Sequence, residues 1–203
     1  LYDEGDTLLN IYNECVKAGS PDLPIIFTST SKITFPGAGV AVEAASPNNV
    51  ALLKGRMKYQ TIGPDKLNQL RHARMFRTVS DIERHMKRHA AILRPKFETV
   101  EKELQKQLGD TGVARWTTPK GGYFISLYVL EGCAKRVEQL CANAGMILTP
   151  AGATYPYGND PKDSNIRIAP SYPSVEEIEK ASEVLALAVR YAALEKLLSD
   201  KEN

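Results

Sequence analysis

Residues 27–42 read FTSTSKITFPGAGVAV: one lysine, Lys32, stands between a run of hydroxyl residues and a glycine-rich apolar tail. The residues before it, LPIIFTST (23–30), are short, β-branched and bounded by proline and polar residues, the pattern of a buried strand. Those after it, AGVAVEAAS (38–46), read as a second strand. Lys32 therefore follows a strand directly, and ligand sites in open α/β sheets lie just past the carboxyl ends of strands. Thr28, Ser29, Thr30 and Ser31 offer hydroxyl donors to an anion. A lysine removed from water loses its proton readily, and the neutral amine attacks carbonyl carbons to give a Schiff base. Taken alone, a lysine at this position is more often a surface residue after an edge strand.

The rest of the chain sets the frame. Its 203 residues suit one large domain or two small ones, and 43% hydrophobic with 25% charged residues is ordinary for a globular protein. Twenty-six basic against 24 acidic residues leave a net charge of +2, too small to point to nucleic acid or an anionic membrane as a partner. Cys15, Cys133 and Cys141 form no C-x-x-C spacing, so neither a disulfide framework nor a zinc site is indicated, and a reducing cytoplasm is the expected compartment. No apolar run reaches membrane-spanning length and no signal-peptide order opens the chain. The opening LYDEGD, without an initiator methionine, reads like the interior of a larger protein.

Asp6 is expected to cap a helix carrying Leu8, Tyr12, Cys15 and Val16 on one face. Residues 46–60 and 63–76 read as helices opened by turn signals. A capping box, Ser80 with Glu83, is expected to start a helix running to about Leu108 and kinked at Pro95. Beyond Gly112 the pattern predicts strand (VARWT), turn (PKGG), strand (YFISLYV), helix (AKRVEQLCANAG) and two strands (MILTP and SNIRIAP). A second capping box, Ser174 with Glu177, opens a last helix with Val175, Ile178, Val184, Leu185, Ala188 and Tyr191 as its apolar stripe. The expected boundary falls near residue 78: residues 1–78 end an α/β layer and 79–203 form a compact α+β domain.

Three segments, in order, resemble the fold-type I pyridoxal-phosphate enzymes of the aminotransferase class I and II superfamily. S-x-S-K at Ser29 to Lys32, followed by ITFPGAG, resembles the cofactor-lysine signature. PKGGYFISL (119–127) resembles the P-x-G-G-x-F strand entry of the small domain, and SNIRIAPSYPSVEEIEKA (164–181) the strand and closing helix that deliver a substrate-carboxylate arginine. The resemblance implies the carboxyl-terminal half of such an enzyme: the end of the large domain over 1–78, then the small domain over 79–203. It implies pyridoxal phosphate held as a Schiff base on Lys32, with Ser29 and Ser31 at its phosphate, and Arg167 on the substrate carboxylate. A guanidinium matches a carboxylate with two parallel bonds, which lysine cannot copy. The freed lysine would carry the α-proton to the C4′ carbon as base and acid. The implied partners are an amino acid, aspartate by likeness to atypical bacterial aspartate aminotransferases, and a 2-oxo acid. A homodimer is implied, with no membrane and no nucleic acid.

The likeness has departures. Family members commonly carry a phosphate-binding arginine seven or eight residues after the lysine, where this chain has Gly39 and Val40. The pyridine-nitrogen aspartate, the tyrosine near the phenol oxygen and the ring-stacking residue would lie upstream, so these 203 residues alone are expected to bind cofactor poorly and to lack transamination. Two alternatives remain: a cofactor-sensing domain of a transcription regulator with an upstream helix-turn-helix, and a related lyase or decarboxylase.

Other features carry less. Gly37 and Gly39 make a G-x-G without a third glycine, which suits a tight turn rather than a dinucleotide site. His85 and His89 have i,i+4 spacing but no neighbouring carboxylate, so no metal is expected there. Trp116 is read as core, and Tyr155 and Tyr157 as turn residues near Arg167.

Overall fold

The computed structural model describes Gly5 and residues 7–202. The fold mixes helix and sheet, and chain contacts divide it into two compact units that meet in sequence between Met86 and Lys87.

The first unit opens with α1 (Ile11–Lys17). Asp6 lies outside the described residues; the cap is Asn10, whose Oδ1 accepts from Asn13 N at 3.1 Å. β1 (Ile25–Ser29) and β2 (Ala41–Ala45) pair antiparallel, from Ile25 opposite Ala45 to Ser29 opposite Ala41. β1 was expected to be buried and is not: Phe27 is 72% exposed. Apolar composition marks a strand that is able to pack on both faces, but burial needs covering layers, and the described residues form only a two-stranded ribbon here. α2 (Pro47–Met57) is capped by Ser46 and α3 (Lys66–Met75) by Asp65, each side chain accepting a backbone N–H three residues on.

The long helix α4 spans Val79–Leu108 and runs unbroken through Pro95. Its capping box is not Ser80 with Glu83 but Thr78 with Asp81: Asp81 N donates to Thr78 Oγ1 at 3.3 Å and Thr78 N to Asp81 Oδ2 at 3.0 Å. Asp81 also accepts from Arg77 N, so the earlier box satisfies one more donor, while Ser80 already lies in the helix.

In the second unit, β3 (Ala114–Trp116), β4 (Ile125–Val129) and β5 (Asn165–Ile168) form an antiparallel sheet with β4 central. α5 (Ala134–Asn143) and α6 (Val175–Glu202) complete it. Leu93, Phe97, Val100, Leu104 and Leu108, spaced three and four apart on α4, pack with Ile125, Leu127, Ile166 and Ile168 from alternate strand positions. Trp116 is half-buried against this core. MILTP does not become a strand. Met146 and Leu148 pack on the core while Ile147 is 93% exposed, an alternation that imitates a strand in a segment that joins no ladder. The box at α6 forms as read, with Ser174 N donating to Glu177 Oε2 at 2.7 Å and Glu177 N to Ser174 Oγ at 3.2 Å. Its buried face centres on Ile178, Ser182, Leu185 and Val189, and Tyr191 lies off it, 52% exposed. Burial pushes the thiols of Cys133 and Cys141 up, Cys141 to about 11, which suits packing rather than nucleophilic chemistry. No helix among the described residues is long and apolar enough to cross a membrane.

Candidate active site

Lys32 lies three residues past the end of β1, on an exposed turn over residues 31–33. The turn is built from backbone bonds: Ile33 N and Thr34 N both donate to Thr30 O at 2.8 Å, and Thr30 N donates to Val40 O at 2.9 Å where the chain returns. Ser29 Oγ accepts from Ser31 N at 3.1 Å and lies 2.7 Å from Ser31 Oγ. One hydroxyl donates to the other in that pair, so one O–H remains to donate to a ligand. The hydroxyls of Ser29, at the end of β1, and Ser31, on the turn, thus meet, and Lys32 follows on the same exposed turn.

Gly39 explains the missing arginine at its position. A Cβ there would stand 2.5 Å from Ser31 Oγ and 3.0 Å from Ser31 N, so the returning chain passes the serine turn with no room for a side chain. The donor set of a primary amine, two serine hydroxyls and an exposed turn fits an aldehyde that also carries an anionic group. From Ser29 to Val40 the only cation is Lys32 itself.

Arg167 belongs to the second unit. It sits on β5 opposite Ser126, half-buried, while its neighbours Ile166 and Ile168 point into the core. Its guanidinium carbon lies 4.5 Å from the ring centroid of Phe124. The buried Nε has no hydrogen-bond partner among the described residues. An ordinary strand arginine pairs with an acid, and this one has a buried donor with no such partner among the described residues. An apolar cavity of about 190 Å³, lined by Arg167, Leu148, Ile178 and Leu185, opens beside it.

Sequence reasoning missed the residue that shapes the approach to β5. Asp160, 8% exposed, accepts from Lys162 N through Oδ1 at 2.9 Å and from Ser164 N and Asn165 N through Oδ2 at 2.8 and 2.9 Å. Burial alone would raise this carboxyl, but the backbone N–H donors outweigh it and hold the pKa below its ordinary value. Asp160→Ala is expected to cost about 2–6 kcal/mol of unfolding free energy, because two buried N–H groups lose their acceptor at about 1–3 kcal/mol each. Urea denaturation checks it. The depressed carboxyl adds stability above the ordinary carboxylate range and loses it as pH falls through its lowered value, so Asp160→Asn should flatten the acid limb of the stability curve. The signal in the sequence was D-P-K-D-S-N, a turn-rich run just before a strand.

His72 on α3 was also missed. Its Nε2 lies 3.0 Å from Thr30 Oγ1 and 2.7 Å from Thr34 Oγ1, on either side of Lys32 in sequence. His85, by contrast, packs on Phe76 with ring centroids 5.3 Å apart.

With these geometries in place, likeness to known proteins defines the class. Residues 1–201 match the family model described as aspartate amino-transferase. An aspartate aminotransferase of Corynebacterium glutamicum is 46% identical over 195 residues, 96% of this chain and 45% of that protein. The crystal structure of an aspartate transaminase from the same organism superposes with a TM-score of 0.91 at 45% identity, covering 96% of this chain and 46% of that one. LysN, an α-aminoadipate aminotransferase of Thermus thermophilus solved with N-(5′-phosphopyridoxyl)-L-leucine, shares the fold at a TM-score of 0.77 and 21% identity, over 96% of this chain and 48% of that one. The chain belongs to the aspartate aminotransferase family. It spans about half the length of the curated relatives it matches.

Proposed function

We propose that the full-length protein is a pyridoxal-phosphate-dependent aminotransferase that moves an amino group between an amino acid, aspartate by analogy with its Corynebacterium relative, and a 2-oxo acid. The observation that carries the reading is Arg167: a half-buried guanidinium, stacked on Phe124, with a buried Nε that has no partner among the described residues. In this reading residues 1–78 end the cofactor-binding large domain, residues 79–203 form the small domain, and the protein works as a cytoplasmic homodimer.

Pyridoxal phosphate, when bound, supplies an electron sink that makes the α-proton of an amino acid removable. Lys32 would hold the cofactor covalently through Nζ. When not bonded to the cofactor, Nζ would be the neutral amine that takes the substrate's α-proton as base and gives it up again as acid. The free hydroxyl of the Ser29–Ser31 pair would donate to the phosphate. Arg167 gives the substrate carboxylate two parallel N–H···O bonds and so fixes which bond to the α-carbon is presented for cleavage.

Mixing the cofactor-loaded full-length protein with aspartate is expected to bleach the cofactor's absorption band and yield one equivalent of 2-oxo acid. Release of carbon dioxide or ammonia in its place would favour a lyase, and no spectral response to any amino acid would favour a sensor. Gly39→Ala is expected to push Ser31 out of place and weaken cofactor binding about tenfold, the scale of a modest overpacking cost. An unchanged dissociation constant in an absorbance titration would remove the Ser31 turn from the phosphate site.

A further inference from the structure

The lysine turn has a clamp that the functional reading leaves unused. Thr30 and Thr34 flank Lys32 at two residues on either side, and both hydroxyls converge on one atom, His72 Nε2, at 3.0 and 2.7 Å. The contacts join residues 38 and 42 positions apart in sequence. The far side of the ring is fixed as well. His72 Nδ1 lies 2.7 Å from Asn68 O, and because a carbonyl only accepts, Nδ1 carries the proton and donates. The Phe35 ring meets the imidazole edge-on with centroids 5.2 Å apart. Thr30 Oγ1 accepts from Val40 N at 2.9 Å, and the single proton of Thr34 Oγ1 goes to the acceptor Nε2 at 2.7 Å in preference to Thr30 O at 3.2 Å, so the histidine ties together the outgoing chain, the turn and the returning chain. Beneath lies a cavity of about 380 Å³ lined by Thr30, Thr34, Val40, Gln69, His72 and Phe76. Without the imidazole bridge, the flank of the turn facing that space would lose its side-chain hydrogen bonds to α3.

We propose that His72 is a positioning residue: through Thr30 and Thr34 it fixes the backbone on both sides of Lys32, and thereby the arc that the lysine amine sweeps. The proposal rests on the reading of Lys32 as the cofactor lysine. His72 acts on the reaction only through the turn. Nζ hangs on four rotatable bonds, so the backbone sets its aim, and a displacement near 1 Å at a reacting group can cost about a hundredfold in rate.

The test uses the full-length, cofactor-loaded protein and three variants. His72→Leu keeps bulk and removes both nitrogens. His72→Gln keeps an amide that reaches the same hydroxyls. Thr34→Val leaves the ring and removes the shorter bond. The expected result is that His72→Leu and Thr34→Val lower kcat about tenfold or more while KM changes less. They should also move the pH midpoint of the bound cofactor's absorption band and speed amide exchange over residues 30–34. His72→Gln should recover kcat to within about threefold. Thr34→Val keeps the test standing if His72→Leu does not fold. Wild-type kcat, band midpoint and exchange in these variants, or a fall in His72→Gln as deep as in His72→Leu, would overturn the proposal. Borohydride mapping of the wild-type protein separates the two levels. An adduct on Lys32 with unaltered variants removes the clamp and leaves the function, whereas an adduct elsewhere removes the function and the clamp with it.

Discussion

Lys32→Ala in the full-length protein is expected to lower kcat by about 10²–10⁴-fold, the range that a positioned acid and base supplies, with little change in melting temperature. The two halves of that result have different causes. Lys32 is exposed on its turn, and surface substitutions away from caps and cores usually change stability by about 0.5 kcal/mol or less. The chemistry, by contrast, needs an amine that can be both neutral and protonated near neutral pH. Lys32→Arg sharpens the point: it keeps the charge and most of the length, but a guanidinium does not give up its proton, so the loss should be as large. A lysine that merely follows a strand predicts unaltered kcat in both variants. Steady-state kinetics with a thermal melt on each distinguishes the cases.

Arg167→Lys should lower kcat/KM for every amino-acid substrate by about one to two orders of magnitude, while the cofactor stays bound. Lysine keeps the charge but gives up the second hydrogen bond and the planar match, and a charged hydrogen bond contributes about 1.5–3 kcal/mol. The stacking on Phe124 weakens too, at about 0.5–1 kcal/mol for a partly exposed pair. The structure sharpens this expectation, because Nε is buried without a partner among the described residues. If Arg167 served only the sheet, the variant would lose a little stability and keep its kinetics. Unaltered kcat/KM would take Arg167 out of the reaction.

What the sequence disclosed and what it withheld divide along the range of the interactions. Local chemistry was legible. The helices after residues 46 and 63, the box at Ser174 and Glu177, and the strands around Lys32 and Arg167 are all written within a few neighbouring residues. Where two local signals competed, the choice was not legible. T-V-S-D-I-E holds two overlapping boxes, and the helix takes Thr78 with Asp81 because Asp81 also reaches Arg77 N. Properties set by distant partners were least visible. The apolar run of β1 says that it can be buried, but the cover is a matter of other layers. The alternation in MILTP has no partner edge. His72 lies in a segment read only as a helix, since its partners lie about forty positions upstream. Asp160 is a local case that was missed, with its donors two to five residues further on. His72 bonds the turn that carries Lys32, and Asp160 bonds the backbone entering the strand that carries Arg167, so the side chains that brace the two candidate residues were hidden while the candidates themselves were in view.

The most direct measurement of the central claim is borohydride reduction of the full-length protein with pyridoxal phosphate, followed by proteolysis and mass mapping of the reduced adduct. The account predicts one phosphopyridoxyl group, on the peptide that contains Lys32, and none in Lys32→Ala. An adduct on a different lysine, or no adduct in a protein that has bound the cofactor, would contradict it.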